Sequence, residues 1–435
     1  MNDHLHSTAE DPIRVVLVIC LPPAERSLLG EREEEMRSLL DTAGCEVVDV
    51  ISQFPSRPVS RTYIGSGKCE DVRQAGLVNQ ADEVVFNVQL TPSQERNLEQ
   101  ATGLKVVDYS ALILHIFARN ARTHQAKLAV ELAQLEHNRS RLKRLWSHLD
   151  RIKSGMNMRG PGEKQLEVDR RLVNDRIRDL KRKLSEIEGR KERTIQSRRN
   201  CYKICLVGYT NAGKSSLMNA LTEAGVLAQD RLFATLDTRT TRLELAGAQK
   251  EVVLSDTVGF IRDLPPTLIA SFHATLAEVI EADLLLHIVD ASQPSMEDQI
   301  KAVEGVLETI GAQEVPQIMI FNKIDLEHSH TILLAFQHRY PGSVAASAHT
   351  GQGLDELRQS VLSALSKSMQ QVTVRYPIAA GAIDAFLRRR TTVVDEHYTD
   401  EHATLVIEVD EQLLGELGEH PQLEIVPDQS AYDWL

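Results

Sequence analysis

The residues with the clearest chemical potential lie in "KICLVGYTNAGKSSLMNAL", residues 203–221. Gly208 is followed by Tyr209, Thr210, Asn211 and Ala212, and then by Gly213-Lys214-Ser215-Ser216. An apolar stretch with strand character precedes the pattern and a helical one follows, the context in which this spacing forms a phosphate-binding loop. Backbone amides and the helix N-terminus would cradle phosphates. Lys214 would neutralise the β- and γ-phosphates, and the Ser215 hydroxyl would coordinate Mg²⁺.

Three further pieces follow in order. "VVLSDTVGF" places Asp256 at a strand end, three residues before Gly259. That aspartate can hold Mg²⁺ through water, and the Gly259 amide can reach a γ-phosphate. "IMIFNKIDL" ends a later strand with Asn322-Lys323-Ile324-Asp325. The Asp325 carboxylate can accept hydrogen bonds from N1–H and the 2-amino group of guanine, a donor pair that adenine lacks. In "VAASAHTG", Ser347 and Ala348 would close over the base. Together the pieces predict a guanine-nucleotide-binding domain that takes GTP or GDP with Mg²⁺. A lone DxxG or NKxD carries little weight.

"RLFATLDTRTTRLEL" should hold the first switch. It offers Thr235, Thr238, Thr240 and Thr241, and Thr235 is the choice for closing on Mg²⁺ and the γ-phosphate. Phe233 in the same segment is counted with the nucleotide contacts. Lys214, Thr235 and Gly259 form the expected catalytic set; Ser215, Thr235 and Asp256 form the metal set. Many GTPases of this fold place Gln just after the DxxG glycine to orient the attacking water. Here the residue is Phe260, which has no hydrogen-bonding group, so slow intrinsic hydrolysis and stimulation by a partner are expected.

These residues sit in a chain of 435 residues, long enough for two to four domains. No apolar run reaches membrane-spanning length, and the polar N-terminus lacks a secretion signal. Five cysteines without CxxC spacing suit reduced thiols in a cytoplasmic protein. The net charge is −13, yet residues 138–200 hold 20 Lys+Arg against 9 Asp+Glu, a local net of +11. That asymmetry points to a basic contact surface on an acidic body.

Four parts are expected to position the chemistry. Residues 1–110 alternate apolar strands with helices and predict a mostly parallel α/β domain. Residues 111–200 carry leucine seams, Leu128, Leu132 and Leu135 and then Ile177, Leu180 and Leu184, at coiled-coil spacing. They predict a long antiparallel helical hairpin with Gly160-Pro161-Gly162 at its tip, since Pro breaks helices and Gly tolerates turns. Residues 201–368 form the P-loop GTPase domain, and 369–435 a small acidic α+β domain. Arg159, Gly160, Gly162, Lys164, Arg170 and Arg171 cluster near the tip as candidate RNA contacts, the basic side chains to phosphate and the glycines permitting close backbone approach. A solvated charged coiled coil packing only on its own protein is the competing account. "YIGSGK", residues 63–68, is a second Gly-rich loop, either a weak ATP-phosphate site or a helix-start turn.

The chain resembles the HflX family of ribosome-associated GTPases. The resemblance rests on "TYIGSGK", "ARTHQAKLAVELAQL", "RGPGEKQLEVDRR", "GYTNAGKSSLMNAL", "LFATLD" and "DTVGFIRDLP". It implies a GTPase that binds the large ribosomal subunit and its rRNA and splits or rescues stalled ribosomes under stress. It also implies an N-terminal α/β region bearing a helical arm, followed by the GTPase domain. A monomer without DNA binding is expected. An ATP-dependent RNA-remodelling factor and a non-ribosomal adaptor remain the alternatives.

Overall fold

In the computed structural model, residues 12–145, 161–197, 201–222 and most of 232–426 are described. Residues 1–11, 146–160, 198–200, 223–231, 234–237, 269–272, 327–329 and 427–435 lie outside, with a few single positions.

The N-terminal part runs β1 (Ile13–Cys20), a 3₁₀ turn (Pro23–Leu28), α1 (Leu29–Ala43), β2 (Cys45–Gln53), α2 (Ser66–Asn79), β3 (Glu83–Phe86), α3 (Pro92–Thr102), β4 (Lys105–Val107) and α4 (Tyr109–Asn120). Its sheet has the order β2-β1-β3-β4, and every pairing is parallel. Residues of β1 alternate between two cores. Val15, Leu17 and Ile19 face α1 and α4, while Val16, Val18 and Cys20 pack with Val72 of α2 and Leu98 of α3. Burial on both faces explains why the strand is apolar without alternation. Local chemistry sets the helix ends: Thr91 and Gln94 form a capping box at α3, and Gly44 closes α1 in the left-handed conformation.

Next come α5 (His124–Leu145) and α6 (Pro161–Ser197), which pack along Leu128, Leu132, Ile177, Leu180 and Leu184. Glu131 pairs with Arg176 at 2.7 Å and Glu136 with Lys181 at 2.9 Å. One correction concerns the tip. The expectation put Gly160-Pro161-Gly162 between the helices, but Pro161 is the first residue of α6, so Gly162 and Lys164 belong to its first turn. Proline suits that position because its missing N–H would have no intrahelical partner there. Arg159 and Gly160 lie outside the described residues.

The third part runs β5 (Cys201–Gly208), α7 (Lys214–Leu221), β6 (Arg239–Leu243), β7 (Glu251–Asp256), α8 (His273–Ile280), β8 (Leu284–Asp290), α9 (Met296–Ile310), β9 (Gln317–Asn322), α10 (His330–Arg339), β10 (Val344–Ala345) and α11 (Leu354–Lys367). Its six strands have the order β10-β9-β8-β5-β7-β6, parallel except for β6. The last part, β11 (Gln370–Pro377), α12 (Gly381–Arg390), β12 (Thr392–Tyr398), β13 (His402–Val409), α13 (Glu411–Gly418) and β14 (Glu424–Val426), has the antiparallel order β12-β13-β11-β14. This is the split β-α-β arrangement. None of the five cysteines forms a disulfide. No helix among the described residues is long and apolar enough to cross a membrane.

One core spans the first three parts. It contains Leu39, Phe117, Leu132, Leu180, Tyr209, Phe233 and Phe260. The N-terminal sheet, α5 and α6, and the phosphate-loop side of the third part are therefore packed together through apolar side chains.

Candidate functional site

The loop between β5 and α7 is built where a parallel strand gives way to a helix N-terminus. A Cβ on Gly208 would run into the Ile288 carbonyl, and one on Gly213, at φ +92°, into the Asn322 amide. Both positions therefore demand glycine. Lys214 opens α7 and turns back over the loop, its Nζ donating to the carbonyls of Gly208 at 3.1 Å and Tyr209 at 2.8 Å. Burial pushes its ammonium down to about 8, with Asp256 acting in the opposite direction. A phosphate would supply the countercharge that buried ammonium needs. Ser215 Oγ donates to Asp256 Oδ2 at 2.6 Å, so a hydroxyl and a carboxylate from two elements meet beside the loop. That oxygen pair suits Mg²⁺. Ser216 follows in the first turn of α7.

Asn322, Asp325, Ser347 and Ala348 lie together beside the loop. Asn322 Nδ2 donates to Ala212 O at 2.9 Å, and its Oδ1 accepts from Ala348 N at 3.1 Å. One side chain thus ties the phosphate loop to the loop after β10. Ser347 Oγ donates to Asp325 Oδ1 at 2.6 Å, while Asp325 itself remains exposed. Lys323 Nζ pairs with Asp290 at 2.7 Å.

The segment after β7 is bonded to the loop. Phe260 N donates to Gly208 O at 3.1 Å, and Thr210 N donates to Phe260 O at 2.7 Å. A Cβ on Gly259 would lie 3.0 Å from each of Lys214 Nζ, Thr210 Cα and Thr210 Cγ2, so the DxxG glycine sits directly over the loop. Phe260 is buried in the shared core. Phe233, expected at the nucleotide, places its ring edge-on against Phe117 of α4. Thr235 lies outside the described residues.

Sequence reasoning missed the N-terminal residues that grip these loops. Glu35 of α1 accepts a hydrogen bond from the Tyr209 hydroxyl. Burial raises the Glu35 carboxyl, and burial beside Glu35 pushes the Tyr209 phenol well up, so the phenol keeps its proton. Tyr109 Oη donates to Arg262 O at 3.1 Å, and Asn120 Nδ2 to Phe233 O at 2.9 Å. A cleft of about 180 Å³ between α1 and the loop is lined by Glu31, Glu35, Tyr209, Thr210, Arg262 and Asp290. These partners are far apart in sequence and no local pattern marks them; only paired variation across relatives could have.

Away from this site, Gly162 and Lys164 lie in the first turn of α6, and Arg170 and Arg171 are exposed further along it. Lys68 of the second Gly-rich loop pairs with Asp71 at 3.0 Å, and the loop starts α2.

Known proteins match this arrangement over most of the chain. Residues 30–118 fit a family described as GTP-binding GTPase N-terminal, 120–198 one described as GTP-binding GTPase Middle Region, and 203–323 one described as 50S ribosome-binding GTPase. GTPase HflX of Escherichia coli K12 is 45% identical over 353 residues, covering 80% of this chain and 83% of its own. The chain belongs to the HflX family of GTPases. GTPase HflX of Magnetococcus marinus is 41% identical over 414 residues, covering 94% of this chain and 95% of its own. A crystal structure titled as an SsGBP and GDP complex aligns over 81% of this chain and 99% of that one, at 24% identity and a TM-score of 0.45. As an HflX-family GTPase the protein binds GTP and GDP and cleaves GTP to GDP and phosphate.

Proposed function

We propose that this GTPase is a Mg²⁺-dependent switch that acts on the large ribosomal subunit, dissociating or rescuing ribosomes, and that the ribosome stimulates its hydrolysis. The observation that carries the conditional hydrolysis is Phe260. It occupies the position where a glutamine would orient water, and its ring is buried in the core shared with the N-terminal part. GTPases acting alone turn over at about 10⁻⁴ s⁻¹, and a partner adds up to ~10⁵-fold. The ring has no hydrogen-bonding group, so the water has to be held by some other group, and a partner that orders the surrounding loops would bring that group into place.

The other groups divide the work. Lys214 and the loop amides would bind the β- and γ-phosphates. Asp325 would select guanine, and Asn322 would hold the base loop against the phosphate loop. Ser215 and Asp256 would hold Mg²⁺, which neutralises charge that develops on the phosphates.

The ribosomal partner is supported by the description of the family matched at residues 203–323 and by α6. Arg170 and Arg171 stand exposed on that helix, in the basic stretch of an otherwise acidic chain. Lys and Arg contacts to phosphate give salt-dependent binding, with log K falling as log salt rises. Co-sedimentation of the full chain with purified large subunits across a salt series tests the partner. The Arg170→Gln/Arg171→Gln variant should bind more weakly with a shallower salt slope. Binding that ignores both salt and these arginines would favour the non-ribosomal adaptor.

A further inference from the structure

Thr210 stands in the phosphate loop and is 6% exposed. Its backbone is fixed by the 2.7 Å hydrogen bond from its N–H to Phe260 O. Its hydroxyl is different. Thr210 Oγ1 is enclosed and has no hydrogen-bond partner among the described residues. Two neighbouring buried threonines are paired: Thr257 Oγ1 donates to Leu206 O at 2.6 Å, and Thr222 Oγ1 to Met218 O at 2.7 Å. An unpaired buried hydroxyl costs stability, and valine would fill the same space without that cost.

The surroundings say what the hydroxyl can reach. Lys214 Nζ, Thr210 Cα and Thr210 Cγ2 all lie 3.0 Å from the point where Gly259 would carry a Cβ. Lys214 is the ammonium for the β- and γ-phosphates, and Gly259 is the amide that reaches the γ-phosphate. One staggered step about χ1 places Oγ1 where Cγ2 lies, facing the same point. Phe260, the next residue, brings no polar side-chain atom.

We propose that the Thr210 hydroxyl positions the water that attacks the γ-phosphate, in place of the glutamine this chain lacks. The inference rests on GTP occupying this loop. The water oxygen forms a bond to Pγ as the bond from Pγ to the β,γ-bridging oxygen breaks. The bridging oxygen keeps the electron pair and leaves as a terminal oxygen of GDP. Both water protons remain on the released phosphate, which then loses one to solvent. Thr210 accepts a hydrogen bond from the water and takes no proton. It fixes the water's direction of approach, and misplacement of a reacting group costs on the order of 100-fold.

The test uses the full-length chain and Thr210→Val, which removes the hydroxyl at nearly constant shape, beside Thr210→Ser, which keeps it. Three quantities are read: single-turnover GTP hydrolysis, affinity for a non-hydrolysable GTP analogue, and affinity for GDP with aluminium fluoride. Thr210→Val should slow hydrolysis on the order of 10- to 100-fold. It should weaken GDP–aluminium fluoride by a similar factor and leave the GTP-analogue affinity within about twofold, while Thr210→Ser recovers most of the rate. Unchanged hydrolysis in Thr210→Val would overturn the proposal. So would a fall in analogue affinity large enough to explain the rate, or a serine variant no better than valine. If the unaltered chain failed to bind the analogue, nucleotide binding at the loop would fail instead, a distinct result.

Discussion

Phe117 of the N-terminal part and Phe233 beyond the phosphate loop meet edge to face, with ring centroids 4.7 Å apart and planes at 87°. Three residues along α4, Asn120 donates its amide to the Phe233 carbonyl at 2.9 Å. The N-terminal part therefore holds a segment of the GTPase domain by a ring and a backbone oxygen together. Asn120→Ala leaves that carbonyl without its donor, at a cost of about 1–3 kcal/mol. The segment should loosen and release of fluorescent GDP should speed up several-fold in stopped flow. Unaltered release would mean that this contact does not restrain the nucleotide site.

Lys214 gives the site a pH dependence. Burial holds its pKa at about 8 in the free protein, and bound phosphates raise it. Binding then takes up a proton above pH 8. GDP affinity should be flat from pH 6.5 to 7.5 and weaken above 8, approaching tenfold per pH unit for one proton. Calorimetry in buffers of different ionisation heat would detect the proton directly. A flat profile to pH 9.5 would show that Lys214 is already charged throughout.

Asp325 has one carboxylate oxygen on Ser347 and stays exposed. Asp325→Asn replaces an acceptor with a donor where the guanine 2-amino group would sit. GDP should bind about 10- to 150-fold more weakly, the worth of a charged hydrogen bond, and xanthosine diphosphate should gain. Equal loss for both nucleotides would place the base elsewhere.

His287 lies fully buried in the centre of β8. Burial, partly offset by Gln317, pushes its imidazole down to about 4. Its neutral form belongs to the folded state, so stability is retained above the unfolded pKa of about 6.5 and lost as pH falls from there toward 4. The loss from this group is about 3 kcal/mol. Denaturant midpoints between pH 7 and 4.5 should fall less steeply for His287→Leu than for the unaltered chain. Parallel slopes would assign the acid sensitivity to other groups.

Much of this site was legible because its parts are local. The spacing from Gly208 to Ser215 fixes a strand, a turn and a helix within one short stretch, and backbone geometry leaves little else for two such glycines to do. Asp256 and Asn322 were legible because each ends an apolar strand of a parallel sheet, where loops gather. The helix start at Pro161 was not, because the same proline serves a turn or a first helical residue. The grip of Glu35, Tyr109 and Asn120 on the loops was hidden for another reason. It depends on how two α/β parts pack, and α1 and α4 carry no mark of their partner beyond apolar residues that any core would use.

The central claim is that Phe260 leaves the water without its usual glutamine, so that hydrolysis stays slow until a partner orders the groups that take its place. GTP turnover of the full chain, with and without active large ribosomal subunits at fixed salt and Mg²⁺, tests it most directly. The account predicts a rate near 10⁻⁴ s⁻¹ alone and a rise of several orders of magnitude with subunits. A rate that is already fast alone, or one that active subunits leave unchanged, would contradict it.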